Sequence, residues 1–332
     1  MDSFGRSFRV SLFGESHGPA VGVLIDGCPA GLPLAVSDFE ADLGRRRAGA
    51  EGTTARVEAD APVMTSGIFQ DRTTGAPLLI RFENAAQDAS AYDAIWDLPR
   101  PGHADFTAWK KFHGFNDRRG GGHFSGRLTV GLVAAGVVAK KLIRPVEVEA
   151  RLVEAGGRTD IAEVVAHALA DRDSVGGLVA CEARHIPAGL GEPFFDAAES
   201  LLAHVLFAIP GVRGVEFGDG FAAARMRGSA HNDLIENAAG RTSTNHAGGI
   251  NGGITNGNPL VFRVAVKPTS SLGRPQRTVD LRTGKPAEIT AGGRHDACFA
   301  LRAPVIVEAA AAIVLVDLML LEQMVPRTSR ES

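Results

Sequence analysis

Cysteine is scarce in this chain. Three cysteines occur in 332 residues, at Cys28, Cys181 and Cys298, and no two of them form a Cys-x-x-Cys pair. A disulfide framework and a zinc ribbon both require closely spaced cysteines, so the sequence predicts neither. We therefore expect a reducing, cytoplasmic environment and no metal site.

Long apolar runs are also lacking. Residues 1–6 show no apolar signal region, and the most apolar stretch, residues 309–321, includes Asp317 and is too short to cross a bilayer. This stretch predicts a buried helix rather than a membrane anchor. The net charge of -3 gives no electrostatic reason for binding nucleic acid.

Lysine is rare, since six lysines stand against 29 arginines. One explanation is repeated use of the guanidinium fork to bind carboxylates and phosphates. The other is the codon usage of a GC-rich genome, which also accounts for the many alanines and glycines. The second explains the overall count better, whereas arginines inside glycine-rich motifs favour the first.

Apolar periodicity predicts an α+β fold in a single domain over residues 1–332. We expect helices over the ranges 37–47, 128–142, 161–170, 194–207 and 308–324. We expect strands over the ranges 21–25, 62–69, 77–82, 177–184, 214–217 and 260–266. No Gly-x-Gly-x-x-Gly follows an early strand, so a Rossmann sheet is disfavoured. Ser37 is the expected N-cap of the first helix, with Glu40 as its capping-box partner.

Two histidines lie in glycine-containing polar motifs, residues 13–18 (Phe-Gly-Glu-Ser-His-Gly) and 100–105 (Arg-Pro-Gly-His-Ala-Asp). Such surroundings suit a proton donor that faces a ligand better than a core side chain. Three further segments are typical of anion sites: residues 119–127, which lead into a helix, the glycine-rich stretch 245–257, and Lys-Pro-Thr-Ser-Ser at 267–271. Together they indicate an enzyme that binds a small polyanion.

These motifs, with Arg-His-Asp at 294–296, follow one another in the order and close to the spacing of the chorismate synthase family, which the chain resembles from about residue 8 to 321. The resemblance implies a β-α-β sandwich with helices layered between antiparallel sheets, assembled as a homotetramer. It implies a carbon-oxygen lyase that converts 5-enolpyruvylshikimate 3-phosphate to chorismate by 1,4-elimination of phosphate. This is the last step of the shikimate pathway to aromatic amino acids, and it requires reduced FMN.

The resemblance also assigns roles by position. His17, beside Ser16, protonates the leaving phosphate, and His103 protonates the reduced flavin near N1. Asp296, helped by Ser125, works with flavin N5 to take up the C6 proton. Substrate-binding residues are Arg46, Arg56, Arg127 and Arg294, of which Arg46 and Arg56 are also positions for a reducing nicotinamide. Flavin-binding residues are His123, Phe124, Ser125, Gly252, Lys267, Pro268, Thr269, Ser270, Ser271 and Arg294. No appended segment resembles a reductase, so we expect an external reductant, with NADPH as the candidate.

The chain departs from the family pattern at three places. His123-Phe124 replaces Arg-Ser, the stretch 48–52 is one residue short and lacks an arginine, and Pro210-Gly211 replaces Asn-Ala. Each change affects an expected flavin, substrate or nicotinamide contact.

Two other functions stay open from sequence. A metal-assisted phosphohydrolase could use Glu15, His17, His103 and Asp105, although their spacing matches no compact metal motif. A binding protein that kept the fold and lost turnover would fit the three departures.

Overall fold

The structure is a computed structural model that describes residues 2–328 apart from 55, 57, 86–95 and 292–294. Its helices are α1 (Glu40–Arg46), α2 (Asp105–Phe112), α3 (Thr129–Leu142), α4 (Ile161–Ala170), α5 (Ala198–Ala208), α6 (Gly228–His231) and α7 (Ala303–Leu321). Its strands are β1 (Ser3–Phe4), β2 (Arg9–Gly14), β3 (Ala20–Asp26), β4 (Val63–Ser66), β5 (Ile68–Phe69), β6 (Arg72–Thr73), β7 (Leu78–Glu83), β8 (Glu147–Ala155), β9 (Gly177–Arg184), β10 (Val212–Phe217), β11 (Ile250–Asn251), β12 (Ile254–Thr255), β13 (Leu260–Val266), β14 (Gln276–Val279) and β15 (Pro286–Ile289).

Two antiparallel sheets form the outer layers. The first has the order β1-β2-β3-β7-β4 and the second the order β10-β13-β9-β8. In β13 the residues alternate between buried and half-buried, as expected for a strand with one face on a core. Three further pairs, β5-β6, β11-β12 and β14-β15, are separate hairpins.

Helices α3 and α7 fill the space between the sheets. Helix α3 packs on β3 of the first sheet, α7 packs on β8 and β9 of the second, and the two helices pack on each other. Their contact is close because Gly136 has no side chain: a Cβ there would lie 2.3 Å from Ala309 Cβ. The expected sandwich with helices between antiparallel sheets is therefore confirmed, whereas the single domain stays a prediction.

Most predicted elements are present, with corrections at their ends. The first helix does not begin at Ser37, because residues 36–39 form a 3-10 helix and Ala35 is the N-cap. The carboxylate of Asp38, rather than Glu40, accepts the backbone N–H of Ala35 at 2.8 Å. The long apolar helix begins five residues earlier than expected, at Ala303, just after Arg302 as N-cap.

Helix α7 is long and apolar enough to cross a membrane, by length and composition alone. However, 83% of its most apolar 18-residue window is buried inside the protein. Its contacts with α3 and the second sheet cover it from both sides, which identifies it as a core helix.

Candidate active site

A cavity of about 910 Å³ gathers segments from along the whole chain. This volume lies near the upper end of the range for small-molecule sites, about 300–1,000 Å³, so it can hold more than one small ligand. Cations in the wall outnumber carboxylates: Arg46, Arg47, Arg56, Arg100, Arg127, Arg213, Lys267 and Arg302 against Glu58, Asp60 and Asp296. The cavity is therefore suited to anionic ligands.

His17 lies in the wall of this cavity and is only 5% exposed. The adjacent Ser16 is fixed by two bonds from Arg56, whose Nη1 donates to Ser16 Oγ and whose Nη2 donates to Ser16 O, both at 2.9 Å. Gly120 packs directly on the imidazole: a Cβ at Gly120 would lie 2.4 Å from His17 Cδ2. The glycine run at 120–122, all at positive φ, thus leaves room for the histidine.

His103 is held by a carboxylate and an arginine from its own motif. Its Nδ1 lies 2.6 Å from Asp105 Oδ1, and Arg100 donates its backbone N–H, Nε and Nη2 to the same carboxylate. Burial opposes ionisation of Asp105, but the bonds from Arg100 and His103 outweigh it and hold its pKa well below the usual range. Because Asp105 is ionised, we infer that the hydrogen of His103 resides on Nδ1.

The pKa of His103 itself is lowered. Burial is the main cause, the positive charges of Arg100 and Lys267 add to it, and the bond to Asp105 opposes it. The imidazole is therefore neutral at neutral pH in the ligand-free protein, with Nε2 unprotonated.

Asp296 has both carboxylate oxygens engaged. The backbone N–H of Thr54 donates to Oδ1 at 2.8 Å, and Arg302 Nη2 donates to Oδ2 at 2.5 Å. The loop before Thr54 is tied to the same segment, because Gly52 O accepts the backbone N–H groups of Ala297 and Cys298. These bonds fix the direction of the carboxylate at the cavity wall.

Arg46 and Arg127 share a buried counter-ion, Asp60. Arg46 Nη2 donates to Asp60 Oδ2 at 2.5 Å, and Arg127 Nη1 donates to Oδ1. Burial lowers the pKa of Arg46 to about 10, with Asp60 opposing the shift. The guanidinium group therefore stays charged at neutral pH.

The segment 267–271 forms another part of the wall. Lys267 Nζ donates to Gly102 O at 2.9 Å and to Ser270 Oγ at 2.6 Å, which joins this segment to the His103 motif. Burial and the charge of Arg213 lower the pKa of Lys267. Among the described residues, the buried hydroxyl of Thr269 has no hydrogen-bond partner.

His123, Phe124 and Ser125 also line the cavity. Both ring nitrogens of His123 are engaged, Nδ1 with Gly14 O at 2.8 Å and Nε2 with Asp2 Oδ1 at 3.1 Å. Ser125 Oγ accepts the backbone N–H of Arg127 and so caps the turn that leads into α3.

Most of the residues predicted to form a site thus converge on one cavity. Gly252 does not: it lies in the turn of the β11-β12 hairpin, outside the cavity wall, and its flavin contact stays a prediction. Arg294 lies outside the described residues, so its position stays open. The roles given to the converging residues also remain predictions.

Several wall residues were not predicted from the sequence. Glu58 accepts Arg56 Nε at 2.9 Å, and Asp60 bridges two arginines. The only sequence signal for Glu58 and Asp60 was their position at alternate residues after Arg56, in Arg-Val-Glu-Ala-Asp at 56–60. Arg213 follows the Pro-Gly departure and had no motif of its own.

The sequence departures border the cavity. Pro210 and Gly211 line it, and Gly211 O accepts the backbone N–H of Lys267 at 2.8 Å. Gly52 has φ 84°, and a Cβ there would lie 2.3 Å from Val165 Cγ1 on α4, so the shortened loop packs tightly on that helix.

The four residues considered for a metal-assisted hydrolase do not surround one point. Glu15 is absent from the cavity wall, and Asp105 is engaged by Arg100 and His103. Within the part of the chain that the structure describes, no group of three His, Cys, Asp or Glu side chains is arranged to hold a metal ion.

Comparison with known proteins agrees with this arrangement. A family model described as chorismate synthase matches residues 8–320. The chain is 58% identical to a chorismate synthase of Chitinophaga pinensis, covering 97% of this chain and 98% of that protein. It is 44% identical to one of Dehalococcoides mccartyi, covering 99% and 100%. A crystal structure of chorismate synthase, 24% identical, matches in fold with a TM-score of 0.74 over 96% of this chain and 93% of that one. The chain belongs to the chorismate synthase family.

Proposed function

We propose that this protein is a carbon-oxygen lyase that converts 5-enolpyruvylshikimate 3-phosphate to chorismate and phosphate, at the end of the shikimate pathway. The observation that carries the proposal is the convergence of His17, His103 and Asp296 on one cationic cavity. The substrate has two carboxylates and a phosphate, and guanidinium forks bind both kinds of group. Family membership supports the same reaction.

The contacts of each side chain support the proposed roles. Phosphate leaves C3 of the substrate, and His17 supplies its proton. Arg56, held beside His17 by Ser16, stabilises the negative charge that develops on the departing group. We assign to Asp296 a part in taking up the proton that leaves C6, and the bonds from Thr54 and Arg302 that fix its direction support this role.

Reduced FMN is the proposed cofactor, and the wall fits it in two respects. Lys267 and the unpartnered hydroxyl of Thr269 suit a phosphate, and the half-exposed ring of Phe124 offers an apolar surface to a flat ligand. When bound, reduced flavin supplies electron density to the substrate. His103 holds the proton needed at the flavin edge once the ligands are in place.

The wider assignments are proposals of the same kind. We place the enzyme in the cytoplasm, as a homotetramer, with an external reductant such as NADPH keeping the flavin reduced. Strongly exposed aromatic side chains, among them Phe195 (93%) and Phe221 (79%), support self-association.

Anaerobic incubation with reduced FMN and 5-enolpyruvylshikimate 3-phosphate tests the proposal. We expect chorismate and phosphate in equal amounts, with no net oxidation of the flavin. His17→Ala and His103→Ala should each lower turnover by roughly 100-fold or more, the scale of lost acid-base catalysis. Asp296→Asn should keep FMN binding and lose elimination.

Three outcomes would contradict the proposal. Phosphate release that needs no flavin and is abolished by EDTA would identify a metal-dependent hydrolase. Binding of both ligands without chorismate would identify a binding protein. Wild-type rates in both histidine variants would remove their assigned roles.

A further inference from the structure

Asp60 stands out among the carboxylates of the cavity wall. Its side chain is 1% exposed, and each of its two oxygens accepts a bond from a different arginine, Arg46 or Arg127. A carboxylate in the wall of an anion-binding cavity would repel the substrate if its charge were free. Because each oxygen is bonded to a guanidinium group, the two arginines compensate the negative charge of Asp60.

The backbone at Asp60 supports a special role for this position. Its φ is 49°, in the left-handed region that residues with a Cβ rarely adopt, although Asp and Asn tolerate it best. Strained backbone of this kind persists where the surroundings hold it, often at functional sites. The strained backbone places the carboxylate of Asp60 between Arg46, at the end of α1, and Arg127, in the turn before α3.

The two arginines depend on this carboxylate for their closeness. Arg46 is fully buried, and the positive charges of Arg302 and Arg127 both disfavour its charged form. Among the described residues, the guanidinium group of Arg46 has, besides Asp60, only a long contact to Thr129 Oγ1 at 3.4 Å, and its Nε has no partner. Without Asp60, two buried cations would repel each other with little to hold Arg46.

Arg127 is better anchored, which makes the pair asymmetric. Its Nε donates to Asn84 Oδ1 at 2.9 Å, and its Nη2 donates to Glu83 O at 3.3 Å. Asn84 in turn donates to Gly18 O at 2.8 Å, next to His17. Asp60 therefore links the loosely held Arg46 to an arginine that is fixed against the His17 loop.

We propose that Asp60 is a positioning residue that holds the guanidinium groups of Arg46 and Arg127 side by side as one receptor for an anionic group of the substrate, a carboxylate or the phosphate. The inference rests on the proposed function for the identity of the substrate. Asp60 acts through the arginines and does not itself touch the ligand.

Direct binding measurements on the full chain test this role. The dissociation constant of 5-enolpyruvylshikimate 3-phosphate is measured by calorimetry without flavin, for wild type and Asp60→Asn. We expect binding to weaken by at least tenfold in the variant, because the amide brings an N–H₂ group against a guanidinium. FMN affinity, measured by quenching of flavin fluorescence, should change less than twofold.

Asp317→Asn is the matched control. Asp317 is also a buried carboxylate, but it accepts backbone N–H groups of Arg6, Ser7 and Phe8, away from the cavity. Substrate affinity should stay within twofold of wild type in this control. Unchanged affinity in Asp60→Asn, or an equal loss in both variants, would overturn the proposal.

If Asp60→Asn fails to fold, Arg127→Gln is compared with the charge-balanced double variant Asp60→Asn/Arg127→Gln. The double variant should bind substrate at least threefold more weakly than Arg127→Gln, since Arg46 has lost its anchor; equal affinity overturns the proposal. If wild type binds substrate but forms no chorismate, the proposed function fails, while the comparison of affinities still decides the role of Asp60.

Discussion

At the scale of single residues, the surroundings of His103 at first sight oppose its proposed role as a proton donor. A proton donor must be protonated before it acts, yet burial and the neighbouring cations lower its pKa from an ordinary value of 6.5. Anionic ligands in the cavity add negative charge beside the imidazole and shift its pKa upward. The ligands themselves therefore charge the acid that they need.

We therefore expect the protein to take up a proton when its ligands bind. At pH about 7, the free imidazole is neutral because its pKa is below 6.5, and binding of substrate with flavin should draw a proton onto it. Calorimetry in buffers of different ionisation enthalpy measures the number of protons. His103→Gln should lose the uptake, whereas the exposed His167→Gln should retain it. Equal uptake in wild type and His103→Gln would contradict the assignment.

Gly120→Ala should displace His17. The added Cβ would lie 2.4 Å from Cδ2 and 2.6 Å from Nε2 of the imidazole, and φ is already 59°. We expect turnover to fall by at least about tenfold, with a stability cost of about 1–2 kcal/mol for the left-handed backbone. Gly157→Ala separates the two effects, because Gly157 has φ 80° but nothing within 4 Å of its Cβ. That control should lose similar stability, measured by chemical denaturation, and keep its turnover.

The sequence predicted the parts of the site that have a local signature. The histidines and the 267–271 segment were predicted because glycine, proline and hydroxyl residues surround them within a few positions. Asp60 was not, because its partners Arg46 and Arg127 lie 14 and 67 residues away and only the fold brings them into contact with it. Local sequence patterns identify groups that line the cavity, whereas the counter-ions that hold those groups are found only in the tertiary structure.

At the scale of secondary structure, too, the sequence predicted elements with a regular local pattern and missed an element that depends on distant contacts. Helix α4 and strands β9 and β13 match the predicted ranges because their apolar spacing is regular. Strand β8 was not predicted. Its sequence, Glu-Val-Glu-Ala-Arg-Leu-Val-Glu-Ala, contains several residues with low strand propensity. Pairing with β9 and packing on α7 make it a strand, and neither contact can be read from a local window.

Glu308, in the second turn of α7, joins four elements through one carboxylate. It accepts Arg45 of α1 at 2.7 and 2.6 Å, Lys140 of α3 at 2.8 Å, and the backbone N–H of Ala150 in β8 at 2.9 Å. Arg46, a residue of the cavity wall, follows Arg45 directly. The bonds between Arg45 and Glu308 therefore also fix the end of α1 that carries Arg46. Removing the charge of Glu308 would leave the half-exposed Arg45 and the half-buried Lys140 to share the remaining carboxylate of Asp42.

Glu308→Gln should therefore lower the free energy of unfolding by about 1–3 kcal/mol, the scale of hydrogen bonds lost from a buried charged group, measured by chemical denaturation. Burial raises the pKa of Glu308, but Arg45 and Lys140 outweigh it, so the pKa is lowered from 4.5 in the folded state. The stabilisation is thus present above pH 4.5 and is lost as the pH falls through the folded value. The difference in the free energy of unfolding between wild type and Glu308→Gln should therefore become smaller in acid.

The surface pair Glu163–Arg158, 2.9 Å apart, supplies the comparison. Exposed ion pairs contribute less than about 1 kcal/mol, so Glu163→Gln should change stability little at any pH. An equally small loss in Glu308→Gln would show that the four-element junction adds nothing to stability.

At the scale of the whole molecule, the layered core accounts for stability but leaves part of the surface unexplained. Phe194 and Phe195 are 86% and 93% exposed, and Phe194 has φ 68°, a left-handed backbone that is costly for a bulky side chain. Exposed aromatic surface and local strain together are disfavoured in an isolated chain. Burial against a second copy would compensate for both.

We therefore expect Phe195→Ser to weaken the proposed homotetramer without unfolding the subunit. The substitution removes exposed apolar area, and Phe195 is not among the residues of the cavity wall. Analytical ultracentrifugation should show wild type as a tetramer and the variant as smaller species, with unchanged circular dichroism. Leu169→Ser, a half-exposed apolar position on α4, controls for the loss of an apolar side chain in general. The expectation is contradicted if the wild type is monomeric. It is also contradicted if the variant tetramer resists dilution as well as the wild type, because Phe195 would then not stabilise the assembly.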